Sequence, residues 1–236
     1  MEFEKIVAPS PKELFISQIV HMILSGKLSP GDKLPTERFL AEKMEINRSL
    51  VHSGIEELAH MRFVRIEPRR GNYVTDYAKE GDFNTLTAIA KYTGGDFDRQ
   101  TRISMVEARN AIVGGAMIRL GNIGSPEDFK YLRDLIKEQR EDAKKPSSNV
   151  ACYMLNFNLA LTRLSGNTIF PLIMNSFAVG NMSFWQNCVE HWGVETIFAQ
   201  EEKMLELMEV GKGHEAALYM ENIFEEYLLD NGLKRN

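Results

Sequence analysis

The feature that most constrains the fold is a sequence pattern typical of a β-hairpin. It directly follows three segments that have the N-cap residues and apolar spacing of helices. Residues 64–74, VRIEPRRGNYV, place two short alternating runs around a proline-glycine turn. This pattern is typical of a β-hairpin. Two adjacent arginines, Arg69 and Arg70, occupy its tip. Three helices and then a hairpin is the order of a winged helix-turn-helix, so we predict a small α+β domain of that class at the start of the chain.

Capping residues mark where the three helices begin. Ser10 and Glu13 stand where a capping box requires them, and Pro11 fits the first turn. Thr36 and Asn47 are predicted to cap the next two helices. Apolar residues recur at helical spacing after each cap. The predicted helices cover residues 10–25, 37–44 and 48–60.

The third helix is predicted to read DNA. Its apolar stripe would be buried, which turns the polar residues of its first turns outward, and a recognition helix presents such residues to base edges. Arginine pairs bidentately with guanine, and serine bonds bases or phosphates. Arg38 would reach the backbone, and the arginine tip of the hairpin would reach the adjacent groove, with Gly71 permitting the sharp return. The predicted DNA-binding residues are Arg38, Arg48, Ser49, His52, Arg69, Arg70 and Gly71.

The charge distribution implies that any DNA-binding surface is a local cationic patch, because the chain as a whole is acidic. The net charge is -5, and residues 1–77 hold 11 Lys/Arg against 11 Asp/Glu. Nucleic acid would therefore be bound by a local surface and not by the overall field. No apolar run is long enough to span a bilayer, and the first residues lack the apolar block of a secretory signal. The two cysteines give no disulfide framework, which favours a cytoplasmic protein.

The second half is predicted to be all-helical. Explicit breaks such as TGGD, GNIGSP, KKPSS, SGN and VGKG separate apolar-periodic segments. The predicted helices cover residues 83–92, 100–120, 126–143, 149–165, 168–187, 194–209 and 213–229. We therefore predict three parts: a winged helix-turn-helix DNA-binding domain at 1–77, a linker at 78–82, and an all-helical ligand-binding and dimerisation bundle at 83–236.

The first part resembles the DNA-binding domain of the GntR family of bacterial transcription regulators. The resemblance covers about residues 10–77 and is carried by the ordered strings PGDKLPTER, NRSLV, EEL and RRGNYV. His52 stands where the family commonly has a second recognition-helix arginine, so base readout is expected to differ. Glu45 stands where the turn commonly has glycine, which suggests a slightly different turn.

The second half is similar, more diffusely, to the FadR-type effector and dimerisation domain of that family. Many such domains hold a metal through one aspartate and three histidines. Met154, Asn158, Glu202 and either Ile223 or Phe224 stand at those positions here. Thioether, amide and apolar groups make a poor site for zinc or hard cations, so we predict no metal and no cofactor.

The absence of the metal ligands suggests an apolar effector pocket. Metal-free members of this type include regulators that bind long-chain acyl-CoA, and the extra helix FNTLTAIAKY and Arg109 match that type. The resemblance implies a fatty acyl-CoA or another apolar acid derivative as effector; a small carboxylate, with or without a metal, is the alternative. The predicted ligand-binding residues are Arg109, Met154, Phe157, Asn158, Glu202 and Phe224.

The resulting hypothesis is a ligand-switched repressor or activator that binds a palindromic operator as a homodimer. One small winged domain reads few bases, and paired half-sites multiply the affinity. Three other functions remain open at this point: an enzyme using Cys188 and His191, a winged domain for protein contacts, and a metal-dependent acid sensor. The absence of a third orienting residue near Cys188 argues against catalysis.

Overall fold

The computed structural model describes residues 9–93 and 99–233, without the side chains of residues 93, 177–181 and 183. The chain divides into two compact units, Met1–Gly94 and Gly95–Asn236. Each unit is described by itself below.

The first unit is a winged helix-turn-helix, as the order of signals predicted. Its capped starts agree with the sequence: Ser10 and Glu13 form a capping box, and the Thr36 side chain accepts from the amide of Phe39 at 3.3 Å. Asn47 occupies the third N-cap, but its side chain makes no capping hydrogen bond. The elements are α1 (Pro11–Leu24), α2 (Glu37–Met44), α3 (Arg48–His60), β1 (Val64–Glu67), β2 (Gly71–Val74), α4 (Tyr77–Glu80) and α5 (Phe83–Thr93).

Backbone pairing holds strand β2 of the hairpin on both of its edges. β1 and β2 are antiparallel, with Val64 opposite Val74 and Glu67 opposite Gly71. The connector between α1 and α2 runs along the free edge of β2, where the Leu34 amide donates to the Asn72 carbonyl at 2.8 Å. These bonds fix the hairpin, called the wing below, so that its tip is presented from a supported base.

Helix α5 belongs to the first unit. The Thr85 hydroxyl donates to the Met61 carbonyl at 2.9 Å, and the Tyr92 hydroxyl lies 3.3 Å from a carboxylate oxygen of Glu57 in α3. Ala88 and Tyr92 are buried in the same core as α1 and α3. The boundary between the two units therefore differs from the predicted one. The predicted linker at 78–82 overlaps the short helix Tyr77–Glu80, and the predicted start of the helical domain at residue 83 lies inside the first unit.

The turn between α2 and α3 contains a backbone conformation that costs free energy. Glu45, at the C-cap of α2, has φ 53 and is left-handed, as glycine is at least cost. We expect Glu45→Gly to stabilise the first unit by about 1 kcal/mol, because a left-handed residue with a Cβ costs roughly that much. Urea unfolding of wild type and variant measures this. Glu42→Gly, within helix α2, is the matched control and should destabilise; an unchanged or lower midpoint for Glu45→Gly would contradict the strain.

The second unit is an all-helical bundle, as predicted. Its helices pack around one apolar core that includes Met117, Leu161, Trp185 and Met208. No helix in the described ranges 9–93 and 99–233 combines the length and hydropathy that a membrane crossing requires. The helices are α6 (Arg99–Ile123), α7 (Pro126–Asp142), α8 (Val150–Leu164), α9 (Phe170–Trp192), α10 (Val194–Glu209) and α11 (Gly213–Asp230).

Candidate nucleic-acid interface and buried cavity

The start of α3 presents polar side chains to solvent. Val51, Ile55 and Leu58 are buried on its inner face. The outer face carries Arg48, Ser49 and His52, all exposed, with 71% of the Arg48 side chain accessible. Three predicted DNA-binding residues therefore share one accessible surface.

Glu37, in the first turn of α2, contacts two of these residues. One of its carboxylate oxygens lies 3.0 Å from Nδ1 of His52, and the other lies 3.7 Å from Nε of Arg48. These contacts restrict the two side chains and place them side by side. Glu37 is not among the residues predicted from the sequence, because its partners lie on the next helix. The only sequence signal is an acid beside Arg38 in the string TER.

The wing tip presents the second cationic group. Pro68 and Arg69 are the central residues of a turn closed by the Arg70 amide, which donates to the Glu67 carbonyl at 3.0 Å. Arg69 has φ 66, as the third residue of a type II turn requires. Both arginines are exposed, and Arg70 lies 3.7 Å from the Glu67 carboxylate.

Gly71 follows the tip with φ 121, a conformation that other residues rarely adopt. A Cβ built there would also lie 2.7 Å from the Lys33 side chain. Arg38 is likewise exposed, with 81% of its side chain accessible, and pairs with Glu42 at 3.3 Å. An exposed pair of this kind is weak, so it leaves Arg38 free to contact another anion.

The second unit contains a buried cavity of about 20 Å³ between helices α6, α8, α9, α10 and α11. Arg109 and Glu201 are the ionisable side chains of its lining. Five of the six residues predicted to bind ligand meet there. The lining consists of Arg109, Met154, Phe157, Asn158, Trp185, Ile197, Gln200, Glu201, Met204, Met220, Ile223 and Phe224.

Arg109 is a buried cation whose neighbours are mainly neutral. It is 4% exposed, and it donates to the side-chain oxygens of Asn110 at 2.9 Å and Asn158 at 2.8 Å. Its guanidinium lies 4.7 Å from the ring centre of Trp185 and 4.2 Å from that of Phe224. Burial lowers the pKa of Arg109 to about 9, so it remains charged at neutral pH. Its Nε has no partner.

Glu201, and not the predicted Glu202, faces this cavity. Glu201 is 4% exposed, its Oε2 has no partner, and burial raises its pKa well above the usual value. Glu202 lies outside the lining and forms a two-pronged ion pair with Arg140 of α7, at 2.5 and 3.0 Å. Adjacent residues point about 100° apart around a helix, and here that rotation turns Glu202 from the cavity toward α7.

Comparison with known proteins identifies the first unit. Residues 15–74 match the family described as bacterial regulatory proteins, gntR family. Residues 15–74 are therefore a GntR-family DNA-binding domain. The chain as a whole is similar to the HTH-type transcriptional regulator LutR of Bacillus subtilis, with 23% identity over 84% of this chain and 91% of LutR.

Two further similarities cover both units of the chain. The fatty acid metabolism regulator protein of Shewanella frigidimarina is 26% identical over 73% of this chain and 70% of its own. A solved structure described as Lar, which controls the expression of the Listeria monocytogenes agr system, superposes with a TM-score of 0.61 at 17% identity. It covers 95% of this chain and 97% of Lar, and at that identity it shows the shared fold.

The chain is a transcription regulator and not an enzyme. The Cys188 thiol is buried, which raises its pKa and disfavours the nucleophilic thiolate. His191 lies 3.4 Å from Asp230. Within residues 9–93 and 99–233, no group of three or more His, Cys, Asp or Glu is arranged to hold a metal ion.

We expect DNA binding by this regulator to weaken as pH rises, because His52 titrates. The hydrogen bond that His52 donates to Glu37 and the charges of Glu37 and Glu56 raise the pKa of His52 above 6.5. His52 is therefore cationic below that raised pKa and loses its charge as pH rises through it. Fluorescence anisotropy with a selected operator, from about pH 6 to about pH 8.5, measures the change. His52→Gln should give a flatter profile, and an equally steep one would contradict the assignment.

Proposed function

We propose that this GntR-family protein acts in the cytoplasm as a homodimer that binds a palindromic operator and responds to an acid-bearing effector. The observation that carries the proposal is the buried Arg109 cation, which lines a cavity in the helical unit and lies in a chain that begins with a DNA-binding domain. In this proposal the first unit binds the operator, and the cavity of the helical unit binds the effector that controls operator binding.

The DNA-binding proposal depends on two exposed cationic groups in one unit. Arg48 and His52 lie at the start of α3, and Arg69 and Arg70 lie at the tip of the wing. The first group would meet base edges in the major groove, since recognition helices use their N-terminal residues for this. The wing would meet phosphates or the adjacent groove. In a chain of net charge -5, these groups supply the local positive potential.

The effector proposal depends on the electrostatics of the cavity. A buried charge without a counter-ion is costly, and its partners here are two amides and two aromatic rings. An effector that carries a negative or strongly accepting group would offset this cost. The apolar remainder of the lining, with several methionines and aromatics, suits a hydrocarbon substituent.

Two effector classes have support from different observations. A fatty acyl-CoA is suggested by the similarity to proteins named fatty acid metabolism regulator. A small carboxylate needs less rearrangement than an acyl-CoA, since the cavity of about 20 Å³ holds roughly one water molecule. Any hydrocarbon chain, that of octanoate included, requires the methionine side chains of the lining to move. Both classes place an acid-derived group at Arg109.

Native mass spectrometry of the full chain purified from cells tests the effector. The expected result is a dimer with a bound acid derivative, which an excess of oleoyl-CoA or of octanoate displaces. A monomer, or a dimer with bound metal and no acid derivative, would contradict this proposal.

For the DNA half, we expect Arg70→Ala to weaken binding about equally on all sequences and to lower the salt slope of log affinity by about 1, because one phosphate contact is lost. Anisotropy titrations of one operator and one unrelated duplex, at several salt concentrations, measure both effects. Arg163→Ala removes an exposed arginine of the helical unit and is the control. An unchanged slope for Arg70→Ala would exclude the wing from phosphate contact.

A further inference from the structure

Three buried polar atoms without partners belong to residues that line the cavity of the helical unit. They are Nε of Arg109 on α6, Nε1 of Trp185 on α9 and Oε2 of Glu201 on α10. The first two are obligate hydrogen-bond donors. The third becomes a donor when its carboxyl group is protonated. Unpaired buried polar groups are rare in proteins, and these three line one cavity, which is where a polar ligand group would pair with them.

Within the described residues, Arg109 and Glu201 line the same cavity but form no ion pair. The two outer nitrogens of Arg109 are used by Asn110 and Asn158. An ionised Glu201 would therefore be a second buried charge without a close hydrogen-bonded partner, which burial strongly disfavours. The cavity as it stands suits a neutral Glu201 beside a charged Arg109.

The other charged groups near Glu201 act on it from three helices. Arg109 on α6 and Arg140 on α7 favour its ionised form, and Glu202 on α10 disfavours that form. The charge of Arg140 is already matched by its pair with Glu202. On α9 and α11, Cys188 and Tyr227 remain neutral because burial raises their pKa values. Arg109 is thus the cation near Glu201 that has no paired carboxylate, so Glu201 and a ligand carboxylate can compete to pair with it.

We propose that the effector is a free carboxylic acid, whose carboxylate is held between Arg109 and a protonated Glu201, so that effector binding takes up a proton. This inference depends on the effector site proposed above and narrows its ligand class. Two carboxylates that share one small site cannot both be ionised. Glu201 and the effector carboxylate are therefore alternative counter-ions for Arg109.

The direction of the pH dependence follows from this competition. At low pH, Glu201 is protonated in the free protein and the carboxylate binds without a proton. As pH rises through the pKa of Glu201 in the free protein, binding must restore the proton. The affinity then falls by up to about tenfold for each further pH unit.

Calorimetric titration of the full chain with octanoate, from about pH 6 to about pH 8.5, tests the proposal while Arg109 stays charged. Wild type should bind more weakly as pH rises, and heats compared between phosphate and Tris buffers should show proton uptake. Glu201→Gln keeps a neutral hydrogen-bond donor, so its affinity should match that of wild type near pH 6 within severalfold and stay constant with pH. Glu206→Gln, which changes an exposed acid of the same helix, is the matched control and should follow wild type.

The outcomes separate this inference from the proposed function. Octanoate profiles that are parallel for wild type and Glu201→Gln, including two flat profiles, would overturn the proton linkage. Binding of oleoyl-CoA without binding of octanoate would overturn the free-acid assignment and leave the regulator proposal intact. Binding of neither ligand would overturn both.

Discussion

Arg109→Met is expected to reduce effector affinity by about 30- to 1000-fold, because it removes the buried cation that would pair with the acid group. Methionine has a similar reach and an apolar side chain, so it fills the space between Trp185 and Phe224. Titration with both octanoate and oleoyl-CoA measures the loss. It should apply to whichever ligand wild type binds.

The same substitution should leave the free protein at least as stable as wild type. Replacing a buried, incompletely paired charge with an apolar side chain is often neutral or stabilising. Thermal unfolding without ligand therefore separates a binding role from a structural one. Arg163→Met, on the exposed face of α8, is the control. A strongly destabilised Arg109→Met variant that still binds the ligand would show that Arg109 only supports the bundle.

Arg48→Ala is expected to weaken operator binding by about 1–3 kcal/mol, or roughly 5- to 150-fold, and to relax the preference at one base position of each half-site. The reason is its position at the exposed start of α3, where a bidentate contact with guanine is within the reach of an arginine side chain. Selection of bound duplexes from a randomised pool, followed by sequencing, measures the lost preference. Anisotropy measures the affinity.

Two variants distinguish base recognition by Arg48 from a sequence-independent electrostatic contribution to DNA binding. Lys43→Ala removes an exposed cation from the last turn of α2 and should keep the sequence preference. Glu37→Gln frees Arg48 and His52 from their shared carboxylate, and it should change the preference less than Arg48→Ala does. A uniform loss of affinity for Arg48→Ala, with the preference intact, would place Arg48 on a phosphate.

The helical register of one glutamate shows where the sequence interpretation failed. Glu202 was aligned with a family position, but Glu201 lies on the apolar stripe of α10 with Ile197, Met204 and Met208. The spacing of these residues, at intervals of three and four, was a usable signal that an acid faces the core. The expectation for Glu202 followed instead from its match to a metal-ligand position of the FadR-type domain.

The sequence by itself determined the elements whose causes are local. Capping residues, turn residues and apolar periodicity act within a few positions, so they predicted the winged helix-turn-helix, the arginine tip and the all-helical second half. Only the tertiary structure decided which side chains meet across elements. It placed Glu37 against His52, 15 residues apart, docked α5 on the first unit, and enclosed Arg109 with Glu201. Such contacts depend on how helices pack, and packing is set by the whole core at once and not by neighbours in the chain.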